Sequence, residues 1–418
     1  MEFTVKKLRE AREFLIDKRM SGTNELTLFI GLYNGSDYLE TISKQINEQS
    51  FAEVNLLIVD NCSTDDTWSK IGKIDTEKFA NVTILKNPIN NGAHGSMSLN
   101  IDQIRTPWIT FMHQDDIYRL DHLMQLSTAI RSAKPEEIIF STDMGAISSD
   151  GNLIGSPPRS VWFQKNNDPI TAFLTNLRTH SIPDSCSVYR LDIFKKVLPA
   201  WHNTTFPDTE MILRMCAYGR FVQLNVETVM YREHENSISH LVNSSERDLG
   251  ISISLLNVIN SEEFNIICSQ IQKTDRDNFM NSMMKGVEFR IKNEQFLLLV
   301  KTHLSEVMWR NWGYFSESSL QHLRENYEKV NSTFSVELFS RLQHHLNGIQ
   351  GKQKSHNPRI YNLNSPITNS AHRVKNYGAK GVYLNYGYLL PYRIRRALLK
   401  IFVRVRILVK GRDPWGML

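Results

Sequence analysis

W-I-T-F-M-H-Q-D-D-I-Y, residues 108–118, is an apolar run that ends in two adjacent carboxylates, Asp115 and Asp116. The apolar part predicts a buried strand, and open α/β sheets bind their ligands at the carboxyl ends of such strands. Because adjacent like charges repel, the pair also predicts a cation or a donor-rich ligand nearby. A divalent ion that bridges the carboxylates to a diphosphate is one interpretation, and an Asp-rich helix cap is the other.

Strands and helices alternate on the amino-terminal side of this run. Four apolar segments predict strands, at residues 26–32, 54–59, 82–85 and 108–112. The segments between them predict helices, at residues 38–49, 65–74 and 93–104. This alternation is typical of parallel βαβ units. Polar side chains follow three of the strands, at Tyr33-Asn34, Asp60-Asn61 and His113 to Asp116, and predict a ligand site along one edge of the sheet.

The flanking parts of the chain have other patterns. Residues 5–20 predict a short amphipathic helix. Further strands are expected at residues 138–141, 144–147 and 186–189, a turn at Asp150-Gly151-Asn152, and a helix at residues 206–218. Residues 243–346 have a helical pattern, and the polar residues 348–372, which include Pro358 and Pro366, are interpreted as a linker.

Composition excludes several classes of protein. The 418 residues are 41% hydrophobic and 22% charged, as in a globular chain with room for two or three domains. A net charge of +5 gives no indication of nucleic-acid binding. The four cysteines have no CxxC spacing, so we expect neither a zinc site nor disulfides, and a reducing compartment is favoured. No signal peptide or spanning helix is recognised, and a cytoplasmic protein is expected.

Four segments, in this order, resemble the signatures of family 2 glycosyltransferases: F-I-G-L-Y-N-G-S-D-Y-L-E at 29–40, V-D-N-C-S-T-D-D-T at 59–67, N-N-G-A at 90–93 and H-Q-D-D at 113–116. The resemblance implies an α/β domain with the GT-A nucleotide-diphospho-sugar transferase fold over residues 23–240. An N-terminal helix (1–22) would precede it. A helical domain (241–347), serving the acceptor site or oligomerisation, a linker (348–372) and a basic tail (373–418) would follow.

The same resemblance implies where the nucleotide binds. Tyr33 would line the nucleobase pocket together with the backbone around Asn34. Asp60 would accept a hydrogen bond from the ring N–H of uracil or thymine, which suits an ionised carboxylate. Asp115 would contact the ribose. For Asp60 alone, a helix cap is the alternative.

The metal, Mn²⁺ or Mg²⁺, is assigned by the resemblance to Asp116, with Asp115 as the other ligand. Many relatives have a third carboxylate where His113 or Gln114 stands here. His113 is either a substitute ligand to Mn²⁺ or a polar filler, and metal binding would be weaker in the second case. The segment Y-R-E-H-E-N-S-I-S at 231–239 resembles the end of the family's catalytic domain. It implies that His234 is a further ligand to the metal or the diphosphate, and a surface-loop histidine is the alternative.

The general base is implied by F-P-D-T-E-M-I-L-R at 206–214, which resembles the family's acidic helix start. Asp208 stands at the position of the base, and Glu210 is the substitute candidate. A carboxylate beside Pro207 also suits the first turn of a helix electrostatically, so an acidic cap is the alternative.

The carboxyl-terminal segment 392–412 carries eight Lys or Arg residues and no acidic residue. On a helix its apolar side chains share one face, a pattern typical of a helix that lies on an anionic membrane surface. The alternatives are packing against the protein itself or against a partner.

Together these features predict a metal-dependent, inverting glycosyltransferase at the inner face of a membrane, with a possible homo-oligomer. The hexosyl or deoxyhexosyl group would pass from a UDP- or dTDP-sugar to a hydroxyl of a glycan or lipid-linked glycan in surface polysaccharide synthesis. One alternative is a catalytically idle scaffold that binds nucleotide-sugar or glycan. A nucleotidyltransferase is disfavoured because the segment 31–35 lacks the basic residue of a phosphate loop.

Overall fold

The computed structural model describes residues 5–18, 24–154, 168–179, 183–198, 207–234 and 244–312. The predictions for the linker at 348–372 and for the basic tail at 373–418 lie outside these residues. Within the described ranges, no helix is both long and apolar enough to cross a membrane.

The described strands form one nine-stranded sheet in the order β1-β4-β3-β2-β5-β8-β7-β9-β6. Their bounds are β1 Glu13–Lys18, β2 Leu26–Leu32, β3 Asn55–Asp60, β4 Asn81–Lys86, β5 Trp108–His113, β6 Ile117–Tyr118, β7 Glu137–Ser148, β8 Ser187–Arg190 and β9 Arg220–Glu233. β2, β3, β4 and β5 are parallel neighbours. The predicted parallel core is therefore confirmed.

The helices cover both faces of the sheet. Their bounds are α1 Val5–Glu10, α2 Leu39–Glu48, α3 Thr67–Lys70, α4 Gly92–Asn100, α5 His122–Arg131, α6 Pro169–Thr179, α7 Leu191–Val197, α8 Pro207–Met215, α9 Ser244–Ile259, α10 Glu262–Gln270, α11 Arg276–Arg290 and α12 Glu294–Trp312. Leu28 and Ile30 pack with α2 and α5 on one face, whereas Phe29 packs on the other with α4 and α6 to α12. Successive strand side chains point to opposite faces, so both faces of β2 are buried.

Register brings the ends of the core strands to one edge. Leu32 is level with Asp60, and Gly31 is level with His113. The turns after β2, β3 and β5 therefore emerge side by side, as expected for parallel strands. This edge carries most of the residues singled out from the sequence.

Two expectations from the sequence are wrong. The N-terminal helix ends at Glu10, and residues 13–18 form β1, which pairs antiparallel with β4 from Glu13↔Lys86. Without β1, the outer backbone groups of β4 would be an unpaired edge, and tertiary pairing outweighs the helical periodicity. The two strands expected at 138–141 and 144–147 are one strand, β7, which is irregular near Asp143 and pairs with β9, a strand that the sequence did not indicate. The turn at Asp150-Gly151-Asn152 is confirmed, since Ser148 N donates to Asn152 O (2.8 Å) and Gly151 has φ +79°.

Candidate active site

The turns that follow β2 and β5 are joined directly by Gln114. Its Oε1 accepts a hydrogen bond from Tyr33 N (3.1 Å), and its Nε2 donates to Tyr33 O (3.3 Å). Tyr33 itself is 42% exposed. Tyr33, which the resemblance assigns to the nucleobase pocket, therefore lies next to residues 113–116, here called the carboxylate segment. The Tyr33 ring is open to solvent.

The turns after β2 and β3 are joined by Asn34. Its Oδ1 accepts hydrogen bonds from Thr64 N (2.8 Å) and Thr64 Oγ1 (3.2 Å), and its backbone N donates to Ser63 Oγ (2.9 Å). Asn34 has φ 49°, a left-handed conformation that asparagine tolerates better than most side chains. This residue type is therefore what lets the chain turn sharply at the end of β2 and still bind the neighbouring turn.

Asp60 is fully buried at the end of β3. Both carboxylate oxygens accept Ser63 N (3.3 Å each), and Ser63 Oγ makes a further hydrogen bond. Burial raises the pKa of Asp60, although the Ser63 bonds and Lys86, whose Nζ lies 3.8 Å from Oδ2, act against burial. Because the next helix, α3, begins only at Thr67, the helix-cap interpretation of Asp60 is wrong.

The segment N-N-G-A fixes the start of α4 beside the end of β3. Asn61 Nδ2 donates to Asn90 Oδ1 (2.8 Å), which also accepts Gly92 N (3.0 Å). Gly92 has φ +75°, a conformation that favours glycine. The buried amide of Asn87 extends this network by donating to Asn61 Oδ1 (3.0 Å). These amides hold the turn after β3 in place.

Asp116 is 1% exposed, and its two oxygens differ. Oδ1 accepts Arg232 N (3.0 Å), whereas Oδ2 is buried without a hydrogen-bond partner, with His113 Nδ1 3.6 Å away. Burial raises the pKa of Asp116 to about 6. The residue does not cap a helix, since α5 begins at His122. A buried carboxylate oxygen without a partner is costly, and a bound cation would satisfy it.

Asp115 and His234 form a pair beside Asp116. His234 Nε2 lies 2.9 Å from Asp115 Oδ2, and Arg232 Nε donates to Asp115 O (2.9 Å). His234 follows β9 directly, and its side chain is 17% exposed. The structure therefore brings His234 to the carboxylate segment, and the interpretation as a remote surface-loop histidine is wrong.

These residues fit a divalent ion held mainly by Asp116. The described part of the chain contains no group of three or more His, Cys, Asp or Glu side chains arranged to hold a metal. The unpartnered Asp116 Oδ2 nevertheless offers one anionic oxygen at the sheet edge. Mg²⁺ commonly takes one or two carboxylates and completes its shell with substrate phosphates and water, and the arrangement here matches that pattern.

Asp208 and Glu210 lie on the same turn of α8 and have different surroundings. Asp208 is half-buried, and its Oδ1 accepts a hydrogen bond from Thr209 N (2.8 Å) within the first turn of the helix. Glu210 is fully buried; its Oε2 accepts Asn257 Nδ2 (2.7 Å), and Arg214 Nη1 lies 3.6 Å from Oε1. Burial raises the pKa of Glu210 to about 8. Glu210 thus faces α9 inside the layer of packed helices α6 to α12, here called the helical layer. This position disfavours Glu210 as the substitute base.

One pair of residues at this edge was missed by sequence reasoning. His94 Nε2, on α4, lies 3.2 Å from Asp184 Oδ2, and Tyr189 OH donates to Asp184 Oδ1 (2.7 Å). His94 lies on the first turn of α4, which Asn61 joins to the end of β3 through Gly92 O (3.2 Å), so the pair lies near this edge of the sheet. His94 follows the N-N-G-A segment directly, a position that could have singled it out, but no spacing links it to Asp184.

Comparisons with known proteins identify the family of one part of the chain. Residues 27–198 match the model of glycosyl transferase family 2, and this part of the chain belongs to that family. For these residues the predicted family is confirmed, and so is the α/β class of the fold with helices following it. This match agrees with the prediction of a glycosyltransferase.

Individual relatives match over shorter stretches. The chain is 27% identical over 136 residues to UDP-Glc:alpha-D-GlcNAc-diphosphoundecaprenol beta-1,3-glucosyltransferase WfaP of Escherichia coli, which covers 32% of this chain and 52% of that protein. It is 25% identical over 92 residues to the GalNAc(5)-diNAcBac-PP-undecaprenol beta-1,3-glucosyltransferase of Campylobacter jejuni, which covers 22% of this chain and 30% of that protein. The match thus spans about half of the first relative and less of the second.

Among solved structures, the chain is similar to S. aureus TarS 1–349 in complex with UDP-GlcNAc. The TM-score is 0.45 at 14% sequence identity, and the match covers 73% of this chain and 92% of that chain.

Proposed function

We propose that this protein is a metal-dependent, inverting glycosyltransferase that transfers a sugar from a nucleoside diphosphate to a hydroxyl of a lipid-linked glycan in surface polysaccharide synthesis. The observation that carries the proposal is the buried Asp116 Oδ2, which lacks a partner at the carboxyl edge of the parallel sheet. The names of two relatives, both transferases acting on undecaprenol-linked acceptors, support the acceptor class.

The donor nucleotide binds at the turns after β2 and β3. A carboxylate accepts about four hydrogen bonds, so Asp60 has capacity for a base N–H in addition to its bonds from Ser63. Tyr33, exposed at the same edge, provides an aromatic surface for the base. A uracil or thymine ring carries an N–H between two carbonyl groups, which supports a UDP- or dTDP-sugar as the donor.

The diphosphate binds at Asp116, with Asp115 and His234 beside it. A divalent ion bound at Asp116, Mn²⁺ or Mg²⁺, supplies positive charge that stabilises the departing diphosphate. His234 is held against Asp115, and its ring carries an N–H that can donate a hydrogen bond to a phosphate oxygen. Arg232 fixes both aspartates through its backbone and its guanidinium, so their geometry is set before the donor binds.

Asp208 acts as the general base. It accepts the proton of the acceptor hydroxyl while that oxygen bonds to the anomeric carbon and the bond from that carbon to the diphosphate breaks. The nucleoside diphosphate leaves from the opposite face, which inverts the anomeric configuration. Positioned carboxylates of this kind contribute about 10²- to 10⁴-fold to rate.

The experiment that tests the proposal measures binding of UDP, dTDP and GDP with and without Mn²⁺ by calorimetry. We expect UDP or dTDP to bind. Mn²⁺ should tighten binding about 10-fold or more, which corresponds to about 1.4 kcal/mol or more of binding free energy. In Asp116→Asn the Mn²⁺ effect is lost. Asp192→Asn is the matched control, because Asp192 is an exposed carboxylate that follows β8 at the opposite edge of the sheet.

Turnover completes the test. Transfer of labelled sugar from the preferred donor to an undecaprenol-diphosphate-linked glycan is expected for the wild type. Nucleotide binding that is indifferent to Mn²⁺ in the wild type would contradict the metal assignment. Binding without transfer or donor hydrolysis would favour the idle scaffold.

The basic tail is proposed to hold the protein at the anionic inner face of a membrane, on sequence grounds alone. Each Lys or Arg near such a surface contributes about 1 kcal/mol. Replacing Arg395, Arg396 and Lys400 with glutamate should therefore release the protein from phosphatidylglycerol vesicles in a flotation assay. Replacing the exposed Lys6, Lys73 and Lys273 outside the tail serves as the control. Equal flotation of both variants would contradict the membrane role.

A further inference from the structure

Arg290 ends α11 and reaches the first turn of α8. Its Nη2 donates to Thr209 Oγ1 (3.0 Å), next to Asp208, and its Nη1 donates to Asn176 O on α6 (3.5 Å). Burial lowers the pKa of Arg290 to about 10, and the Asp208 charge partly offsets this effect. The guanidinium is therefore a largely desolvated cation next to the proposed base. Arg247, on α9, is the second charge that acts on it.

Close packing fixes the position of Arg290. Gly286 lies one turn earlier in α11, and a Cβ at this residue would come within 2.7 Å of Leu177 Cδ2 on α6. Beyond α11, the chain is held by Asp248, whose Oδ2 accepts Lys292 N (2.8 Å) and Asn293 N (2.6 Å). The chain is thus held in place both before and after Arg290, which limits how far its guanidinium can move from α8.

A separate set of contacts already attaches the other end of α8. Arg214 Nε donates to Glu263 Oε2 (2.8 Å), and Tyr218 OH donates to Glu263 Oε1 (2.8 Å). These contacts join α8 and the residues that follow it to α10, away from Asp208. Arg290 is therefore not needed merely to hold α8 in the helical layer, and its position next to Asp208 calls for another explanation.

We propose that Arg290 is a positioning residue for Asp208: the helices that follow the catalytic domain supply the cation that fixes the first turn of α8 and keeps the base ionised. This inference rests on the proposed role of Asp208. A nearby positive charge favours the charged form of a carboxylate, and a fixed guanidinium holds its partners in one orientation. The helical layer thereby becomes part of the catalytic machinery.

The test compares Arg290→Met and Arg290→Lys with Arg276→Met in the full-length protein. Arg276 is the matched control because it begins the same helix and binds α12, through Trp312 O (3.4 Å) and the Trp312 ring (5.3 Å). The readouts are kcat, donor affinity, the pH–rate profile and rescue by millimolar guanidinium.

We expect Arg290→Met to lower kcat about 100-fold, as for a misplaced catalytic group, with donor affinity unchanged. The acidic limb of the pH–rate profile of this variant should move to higher pH, because a carboxylate without the adjacent cation binds a proton more readily. Guanidinium should restore part of the rate. Arg290→Lys should lie between this variant and the wild type, and Arg276→Met should keep the wild-type acidic limb. If the methionine variant does not fold, the lysine variant carries the test with the same readouts.

Two outcomes would overturn the inference. One is a folded Arg290→Met with wild-type kcat and pH profile. The other is a loss of kcat with an unmoved acidic limb and no rescue, which would indicate a purely structural arginine. Asp208→Asn separates this failure from failure of the base assignment: if that variant turns over normally, the proposed role of Asp208 is wrong whatever the Arg290 variants do.

Discussion

The carboxyl edge of the parallel sheet and the packed helices α6 to α12 each contain a buried carboxylate with one unpartnered oxygen, and comparing the two separates a ligand site from a structural one. Asp116 and Glu210 are both buried, both have one oxygen without a hydrogen-bond partner, and burial raises the pKa of both, to about 6 and about 8. Their neighbours differ. Beside Asp116 the His113 side chain is 47% exposed, whereas the Arg214 side chain beside Glu210 is 15% exposed. A raised pKa therefore shows only that a carboxylate is buried. A ligand site also needs a path from solvent to that carboxylate.

The same contrast exists between two neighbours on α8. Asp208 is half-buried at the first turn, and Glu210 is sealed against α9. Only the first can meet an acceptor hydroxyl without opening the helical layer. We therefore expect substitutions at Asp208 to affect turnover and substitutions at Glu210 to affect stability.

The largest effect is expected for Asp208→Asn. An amide of the same shape cannot accept the proton of the acceptor, so kcat should fall about 10³-fold. Donor affinity should be unchanged, because the proposed role of Asp208 is to bind the acceptor hydroxyl and not the nucleotide. Steady-state transfer assays with calorimetry of UDP or dTDP binding measure both quantities. A variant with normal kcat would place the base elsewhere.

The next effect is expected for Asp60→Asn, at the donor side of the comparison. The asparagine side chain presents a single acceptor oxygen where the carboxylate presents two, and a charged acceptor binds more tightly. Affinity for the preferred donor nucleotide should fall about 10- to 100-fold, the range for one charge-assisted hydrogen bond. Asp192→Asn is the control. Unchanged affinity would show that the base binds away from the end of β3.

A moderate effect is expected for Gly286→Ala, at the contact of α11 with α6. The new Cβ would meet Leu177 Cδ2 at 2.7 Å, so the Leu177 side chain or the helices must shift. Overpacking of this kind costs about 1 to 3 kcal/mol of unfolding free energy, and the shift should carry Arg290 away from α8. Denaturant unfolding and kcat are the measurements. Loss of stability without any fall in kcat would argue against coupling between α11 and the base.

The smallest effect on activity is expected for Glu210→Gln, at the structural side of the comparison. Because the pKa of Glu210 is raised to about 8 in the folded protein, the folded state holds a proton that the unfolded state has released. Between about pH 5 and pH 8, this group should lower stability by about 1.4 kcal/mol per pH unit as pH rises.

The glutamine variant removes this slope and should keep kcat within about twofold, since the amide can retain the hydrogen bond to Asn257. Unfolding free energies at pH 5, 7 and 8.5 measure the slope. A collapse of kcat in this variant would reverse the roles assigned to Asp208 and Glu210.

The sequence predicted the parallel core and its turns because buried parallel strands are continuous apolar runs, as in Leu26–Leu32. It also singled out Asp60, Asp116 and His234, which the structure places at one edge of the sheet. It did not indicate β1 or β9. The exposed side chains of β1 lack a clear period of two, and the edge of β4 that it covers cannot be read from a local pattern.

Contacts between distant parts of the chain were equally hidden from the sequence. Arg290 meets Thr209 across 81 positions, and His94 meets Asp184 across 90. Neither pair has a spacing that a helix or strand period produces. Such pairs depend on how α11 and α4 pack, and packing is decided by the whole core and not by a single segment.

The central claim is that Asp116 holds a divalent ion that binds the diphosphate of the donor. Diffraction at the manganese absorption edge, from crystals grown with UDP and Mn²⁺, tests this claim most directly. We expect an anomalous peak within direct coordination distance of Asp116 Oδ2. A bound UDP whose manganese peak lies away from this carboxylate, or that has no such peak, would contradict it.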